Sequence, residues 1–498
     1  MGHPGYDASL GSRVFPPGLR SSILVPVASP RILRMQGRGA RLSDNEVLAR
    51  QQVYAAPPPE AVGRLARIGA KWTVLLLGVR QVIGLGTSAV VCRLIAPDAF
   101  GLVAMVTPVT AFLLLVADMG MTWANVQKRD IHWDQVNLLF WIGGLTGVVA
   151  WGICIVSSPL IARFFGRSEL NSICVVLGAS LLLNGLSVQP LALLKRQMRQ
   201  KVFSLVQTIA AVVAAGVAIA MAAADFGYWA LVAQPLTFAL VLLILSLQQS
   251  GYRPGVPRLS QGMHSLVRFG GYVAACNIVT FFQLYLDNIV IGRYCGAEEL
   301  GYYSRAYFLR ALPAMYAAIA MTDMMVPALV ALRADRQRLG AAYRKALRTI
   351  AFVGCPLGVL LGVGAPEIVR LIYGPAWGPV APLLAWLALP AIALPIYHTM
   401  SWLFLAAGKA RPMFIQSVLV TPVVVLGFFL GVRWGGTAGV AIAGAALFTL
   451  PIPLITLYHG HRTAGIDFTQ TLKSVGPILL ACCFSGAAGL GVGSFVIS

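Results

Sequence analysis

Acidic residues are scarce in this chain. Asp and Glu together number 17 in 498 residues, and charged residues of either sign make up only 11%. A soluble domain carries about a quarter, so a water-facing surface of ordinary polarity is excluded. Long polar connections are missing as well: after residue 60 no loop is long enough to build an extramembrane domain. That argues against a membrane polysaccharide polymerase or glycosyltransferase, whose sugar chemistry needs such a loop. There is no Gly-x-Ser-x-Gly elbow, phosphate-binding glycine loop or metal triad, so the sequence offers no enzyme chemistry and no cofactor site. The eight cysteines (Cys92, Cys154, Cys174, Cys276, Cys295, Cys355, Cys482 and Cys483) form no Cys-x-x-Cys pair and fall mostly in apolar runs. They read as small apolar fillers, not as disulfides or metal ligands. His459 and His461 lie in a basic stretch without further ligands nearby.

What is abundant is apolar sequence. Hydrophobic residues make up 58% of the chain, and the mean hydropathy is +0.78. Runs of roughly 20 apolar residues recur, and thirteen spans are expected: 71–95, 101–119, 136–160, 172–193, 203–223, 227–248, 267–292, 306–328, 349–371, 381–406, 413–432, 436–458 and 474–496. The expectation is an all-α polytopic membrane protein. Residues 1–63 form a basic tail rich in Pro and Gly, ending in Ala56-Pro57-Pro58-Pro59, and are expected to be disordered. Met35 is an alternative start.

The net charge is +21. In a soluble protein that would suggest nucleic acid, but no aromatic–basic pattern accompanies it here and the cations gather in alternate loops. One set of loops carries Lys195, Arg196, Arg199 and Lys201, then Arg333, Arg336, Arg338, Arg344, Lys345 and Arg348. The other set is poorer, with Arg93, Arg163, Arg167, Arg293, Arg305, Arg310, Arg370 and Arg433. By the positive-inside rule the N terminus is cytoplasmic.

The chain repeats itself. Arg93–Gly101 (RLIAPDAFG) aligns with Arg293–Gly301 (RYCGAEELG), two hundred residues later. Ile161–Gly166 resembles Ile368–Gly374, and Gly227-Tyr-Trp-Ala resembles Gly436-Thr-Ala-Gly. Each unit holds six spans, an even number, so the two halves are expected to be parallel six-helix bundles around a central cavity. The expected divisions are 64–250, 264–459 and an additional helix within 460–498.

Polar residues inside spans mark the candidate site. Arg80 is the one basic residue expected well inside a span, and Gln81 and Thr87 lie near it on the first helix. Arg80 is either a cavity cation that meets a phosphate or a side chain snorkelling to the surface. In the seventh span Thr280, Gln283 and Asp287 share one side, with Asn277 and Asn288 on a neighbouring line. Asp287 could couple a cation, pair with an arginine such as Arg293, or cap its helix.

Several motifs occur together in a fixed order: Ala96-Pro97-Asp98-Ala99-Phe100-Gly101, Leu160–Gly166, Leu194–Arg199, Asp287–Arg293, Gly301-Tyr302-Tyr303-Ser304-Arg305-Ala306-Tyr307 and Val369–Trp377. In this order they resemble the Wzx-type polysaccharide flippases of the multidrug/oligosaccharidyl-lipid/polysaccharide exporter superfamily, in particular the colanic-acid and succinoglycan branch. The resemblance covers residues 64–458. The long tail and the lack of a fourteenth span depart from the pattern. The resemblance implies a monomeric flippase in the bacterial inner membrane, moving an undecaprenyl-pyrophosphate-linked oligosaccharide to the outer leaflet. A polysaccharide polymerase and a chain-length regulator would be its partners. A drug or cation antiporter and a flippase for another polyprenyl lipid are the alternatives within the superfamily.

Overall fold

A computed structural model describes residues 59–118, 133–255, 279, 281–407 and 410–497, and no strand occurs among them. Most of the N-terminal tail, the start of the seventh span, Asn277 and Thr280 lie outside the described residues. Eight segments among the described residues are long and apolar enough to cross a bilayer. The chain is an all-α, multi-pass membrane protein.

The first half runs through α1 (Pro59–Leu94), α2 (Pro97–Asp118), α3 (Trp133–Phe165), α4 (Glu169–Arg196), α5 (Gln200–Ala223) and α6 (Tyr228–Ser250). Pro97 can open α2 because the first turn needs no N–H from it, and Asp98 adds a carboxylate where the helix dipole favours one. Arg167, in the turn between α3 and α4, holds that carboxylate with two bonds of 3.1 and 2.8 Å.

The second half runs through α7 (281–294), α8 (Ala297–Ala331), α9 (Arg336–Val363), α10 (Ala365–Ile372), a 3-10 turn at Pro375–Trp377, α11 (Val380–Ala406), α12 (Ala410–Thr449), α13 (Pro451–Ala464) and α14 (Phe468–Ile497). Two expected spans are broken. The run 349–371 divides at Gly364, where Pro366 stands at the start of the short α10. The run 436–458 divides at Leu450, before Pro451. In both places a proline supplies no backbone donor to continue the helix before it.

α12 also contains a sharp turn. Gly435 and Gly436 leave the helical region, with Gly436 at φ 56° and ψ −137°. Gly227, its repeat counterpart, has φ 54° and ψ −129° at the start of α6. Side chains avoid this positive-φ region, so both positions need glycine for the same turn.

The largest buried cluster draws on both halves. It joins Val91 and Cys92 of α1, Leu102 and Met105 of α2, Tyr303 of α8, Trp377 of the 3-10 turn and Leu384 of α11. A second cluster, built on Tyr343 and Leu347 of α9 with Trp402 of α11 and Leu457 of α13, belongs to the second half alone. The first and second halves meet principally through α2 and α8.

Candidate functional site

The α2–α8 contact is reciprocal. A Cβ placed on Gly101 would lie 1.7 Å from the carbonyl oxygen of Ala297, and one on Gly301 would lie 2.1 Å from that of Pro97. Ala297 is the repeat counterpart of Pro97, as Gly301 is of Gly101. Only hydrogen at both positions allows the two backbones this close.

Around this contact the halves are stitched by side chains. Trp377, 1% exposed, donates from Nε1 to the Cys92 carbonyl at 2.7 Å. Its ring meets Phe100 edge-on at 5.2 Å and lies 5.7 Å from Tyr373. Arg93 reaches across to the Leu371 carbonyl at 2.7 Å. This end of the bundle, which carries the α1–α2 and α7–α8 turns, is closed by aromatic packing.

Two arginines lie just inside the closed end. Arg305 donates to Ser88 Oγ at 3.2 Å and lies over the Phe100 ring at 4.7 Å. Arg310 lies over the Tyr307 ring at 4.3 Å. The Nε atom of each is buried without a hydrogen-bond partner. Aromatic faces attract a cation but do not neutralise it. The expectation that Arg305 and Arg310 belong to an outer loop is therefore corrected, as both lie on helix α8. α8 begins at Ala297, which puts the two arginines ~12 and ~20 Å along the helix. The polar run Glu298–Arg310 hides the helix from a hydropathy reading. The signal that reveals it is the repeat itself, which aligns Ala297 with Pro97, the first residue of α2.

The candidates named from sequence are distributed differently. On α1, Arg80 donates from Nη1 to Oε1 of Gln207 on α5. Gln81 is half-buried, and the buried Thr87 turns its hydroxyl to the Ile83 carbonyl at 2.7 Å. On α7, Gln283 donates to Thr421 Oγ1 at 2.8 Å and to the Ser417 carbonyl at 3.2 Å, both on α12. Arg80 and Gln283 thus each tie the first helix of a half to a later helix of that half. Asn288 is half-buried. Asp287 is 4% exposed. One carboxylate oxygen accepts from Tyr303 Oη at 2.8 Å and the other from the Asn288 amide at 2.8 Å.

Arg293, expected as a partner for Asp287, lies instead over the Phe164 ring at 5.7 Å. Arg310 is the cation within electrostatic reach of the carboxylate. His461 is a buried core residue: its ring nitrogens meet the Leu457 carbonyl at 2.7 Å and Thr471 Oγ1 at 2.9 Å.

Comparison with known proteins places this geometry in context. A family described as "Polysaccharide biosynthesis protein" matches residues 90–382. The teichuronic acid biosynthesis protein TuaB of Bacillus subtilis is 27% identical over 378 residues, covering 75% of this chain and 78% of that protein. The lipopolysaccharide biosynthesis protein WzxC of Escherichia coli is 23% identical over 380 residues, covering 75% and 76%. Among solved structures, an inward closed conformation of the lipid II flippase MurJ superposes with a TM-score of 0.64 at 13% identity, covering 85% of this chain and 98% of that one. At that identity the likeness speaks to the fold alone.

Proposed function

Since the chain belongs to the polysaccharide biosynthesis protein family, we propose that it is a transporter that moves an undecaprenyl-pyrophosphate-linked oligosaccharide repeat unit across the inner membrane. The observation that carries this reading is the pair of guanidinium groups on α8, Arg305 and Arg310. They sit half-buried just inside the closed end among aromatic rings, and their buried Nε donors have no partner. A cation held in low dielectric calls for an anion, and a guanidinium fork matches phosphate oxygens in pairs. The glycan needs a wet passage between the halves, and the prenyl chain can stay in lipid.

The polar faces of α1 and α7 line that passage in this reading: Arg80, Gln81 and Thr87 on one side, and Gln283, Asp287 and Asn288 on the other. Gln207 orients Arg80. The two halves act as parallel six-helix lobes, residues 64–250 and 264–459, with the N terminus in the cytoplasm. The closed aromatic end then faces the periplasm, and rocking about the α2–α8 contact exposes the passage to one side at a time. The chain works as a monomer and delivers substrate to a polymerase and its chain-length regulator.

The test is transport itself. Purified protein is reconstituted into liposomes with a fluorescent undecaprenyl-pyrophosphate oligosaccharide, and the fraction accessible to a membrane-impermeant quencher is followed. Arg305→Ala and Arg310→Ala should slow equilibration between leaflets, with Arg305→Lys intermediate. Wild-type rates in both alanine variants would overturn the phosphate assignment. The absence of any flipping by the wild-type chain would overturn the function.

A further inference from the structure

α9 and α14 pack together along one flank of the second half, and two cavities lie end to end between them. The first, of about 480 Å³, is lined by Arg344, Lys345, Arg348, Thr349 and Ser474, with Phe352 at its margin. The second, of about 560 Å³, starts at the same Phe352. It continues past Pro356, Leu360 and Val363 of α9, facing Pro477, Ile478 and Ala481 of α14. Because one ring lines both, they form a single groove with a cationic head and an apolar tail.

The chemistry of the two ends differs sharply. Three cations within little more than one turn of α9 repel one another, and no acidic residue lines the head. Two hydroxyls, Thr349 and Ser474, stand beside them. Beyond Phe352 the walls are almost wholly apolar and open to the surroundings: Phe352 is 70% exposed and Leu360 61%. From Phe352 to Val363 the helix rises ~16 Å, close to the ~15 Å depth of one leaflet's hydrocarbon. A soluble anion would use the head and leave the tail empty. A neutral lipid would use the tail and leave the cations facing one another.

We propose that this groove binds one anionic glycerophospholipid of the surrounding bilayer. Its phosphate rests on Arg344, Lys345 and Arg348, beside Thr349 and Ser474, whose hydroxyls donate to the Lys345 and Thr471 carbonyls, and one acyl chain lies along the α9–α14 seam. The head belongs to the stretch Arg333–Arg348, where the sequence concentrates cations, which by the positive-inside rule faces the leaflet richer in anionic lipid. The site is separate from the α2–α8 contact and from Arg305 and Arg310, so the bound lipid is resident and not cargo.

The full chain, delipidated in detergent, is titrated with phosphatidylglycerol. Retained lipid is counted by native mass spectrometry and the melting temperature is followed. One phosphatidylglycerol should be held per chain and should raise the melting temperature, while phosphatidylcholine should do neither. Replacing all three cations by alanine should weaken binding about tenfold or more. Arg348→Glu alone, at an exposed position, should do so in part. Ala481→Trp, which fills the tail and leaves every charge in place, should also abolish retention. Three results would overturn the proposal: wild-type affinity in the triple variant, equal competition by glycerol 3-phosphate, or displacement of phosphatidylglycerol by stoichiometric undecaprenyl pyrophosphate.

Discussion

Tyr303 donates its hydroxyl hydrogen to Asp287 Oδ2 at 2.8 Å, joining α8 to α7 across the turn that connects them. Both residues are almost fully buried. A hydrogen bond to a charged group contributes about 1.5–3 kcal/mol, so Tyr303→Phe should lower the melting temperature measurably. Asp287→Asn separates two roles. As an anchor for Tyr303, Asp287 is needed for folding, and the variant loses stability more than turnover. As a coupling group, it gives a stable variant whose transport no longer responds to an imposed ion gradient. Melting curves and gradient-driven transport, measured on the same preparation, distinguish the two.

Arg80 meets Gln207 within the first half. If that bond aims Arg80 at substrate phosphate, Arg80→Ala should abolish polymer export while folded protein remains in the membrane. Arg80→Lys should restore only part of it, because an ammonium offers a point charge in place of a fork. Gln207→Ala should fall between wild type and Arg80→Ala. Full complementation by Arg80→Ala, in a strain without other flippases and at wild-type expression, would assign Arg80 to snorkelling.

The glycine contact between α2 and α8 leaves no room for a side chain. Gly101→Val and Gly301→Val should each cost about 1–3 kcal/mol through overpacking. Because they act on one interface, the double variant should cost less than the sum of the singles. The closed end should also loosen. Cys92, 3% exposed beneath Trp377, becomes a reporter in a background without other cysteines. A membrane-impermeant maleimide added from outside should label it faster in the Gly301→Val protein than in the unaltered chain. Equal labelling would show that the seal does not depend on this contact.

Orientation has its own check. Glu299 lies in the first turn of α8, beside the closed end, whereas Lys345 lies in the cationic stretch of α9. With the N terminus inside, a cysteine at position 299 is labelled from the periplasm and one at position 345 only after the membrane is permeabilised. The reverse pattern would invert the whole topology.

Most helices were legible because apolar runs of this length have one economical structure in a bilayer. The paired glycines 227 and 436 were legible too, since the repeat aligned them before their shared backbone conformation was known. Arg305 and Arg310 were not. A window of hydropathy registers Glu298, Glu299 and Tyr302 as polar and closes the span, although acidic residues in a first turn favour a helix start. The breaks at Gly364 and Leu450 escaped for the opposite reason, as apolar character continues through them while backbone donors do not. The links of Arg80 to Gln207 and of Asp287 to Tyr303 are tertiary facts, which spacing along one helix cannot supply.

The contact of Gly101 with Ala297 and of Gly301 with Pro97 has the form taken by two identical subunits across a twofold axis, where residue i meets j and j meets i. Here both partners belong to one polypeptide, so the chain carries a homodimer interface folded into itself. Duplication and fusion of a self-pairing ancestor accounts for such an interface without any further step. A substitution at one glycine is then felt at a place whose mirror image remains intact. Separate polypeptides cut between residues 250 and 264 would carry everything the seam requires, one piece supplying Pro97 and Gly101 and the other Ala297 and Gly301.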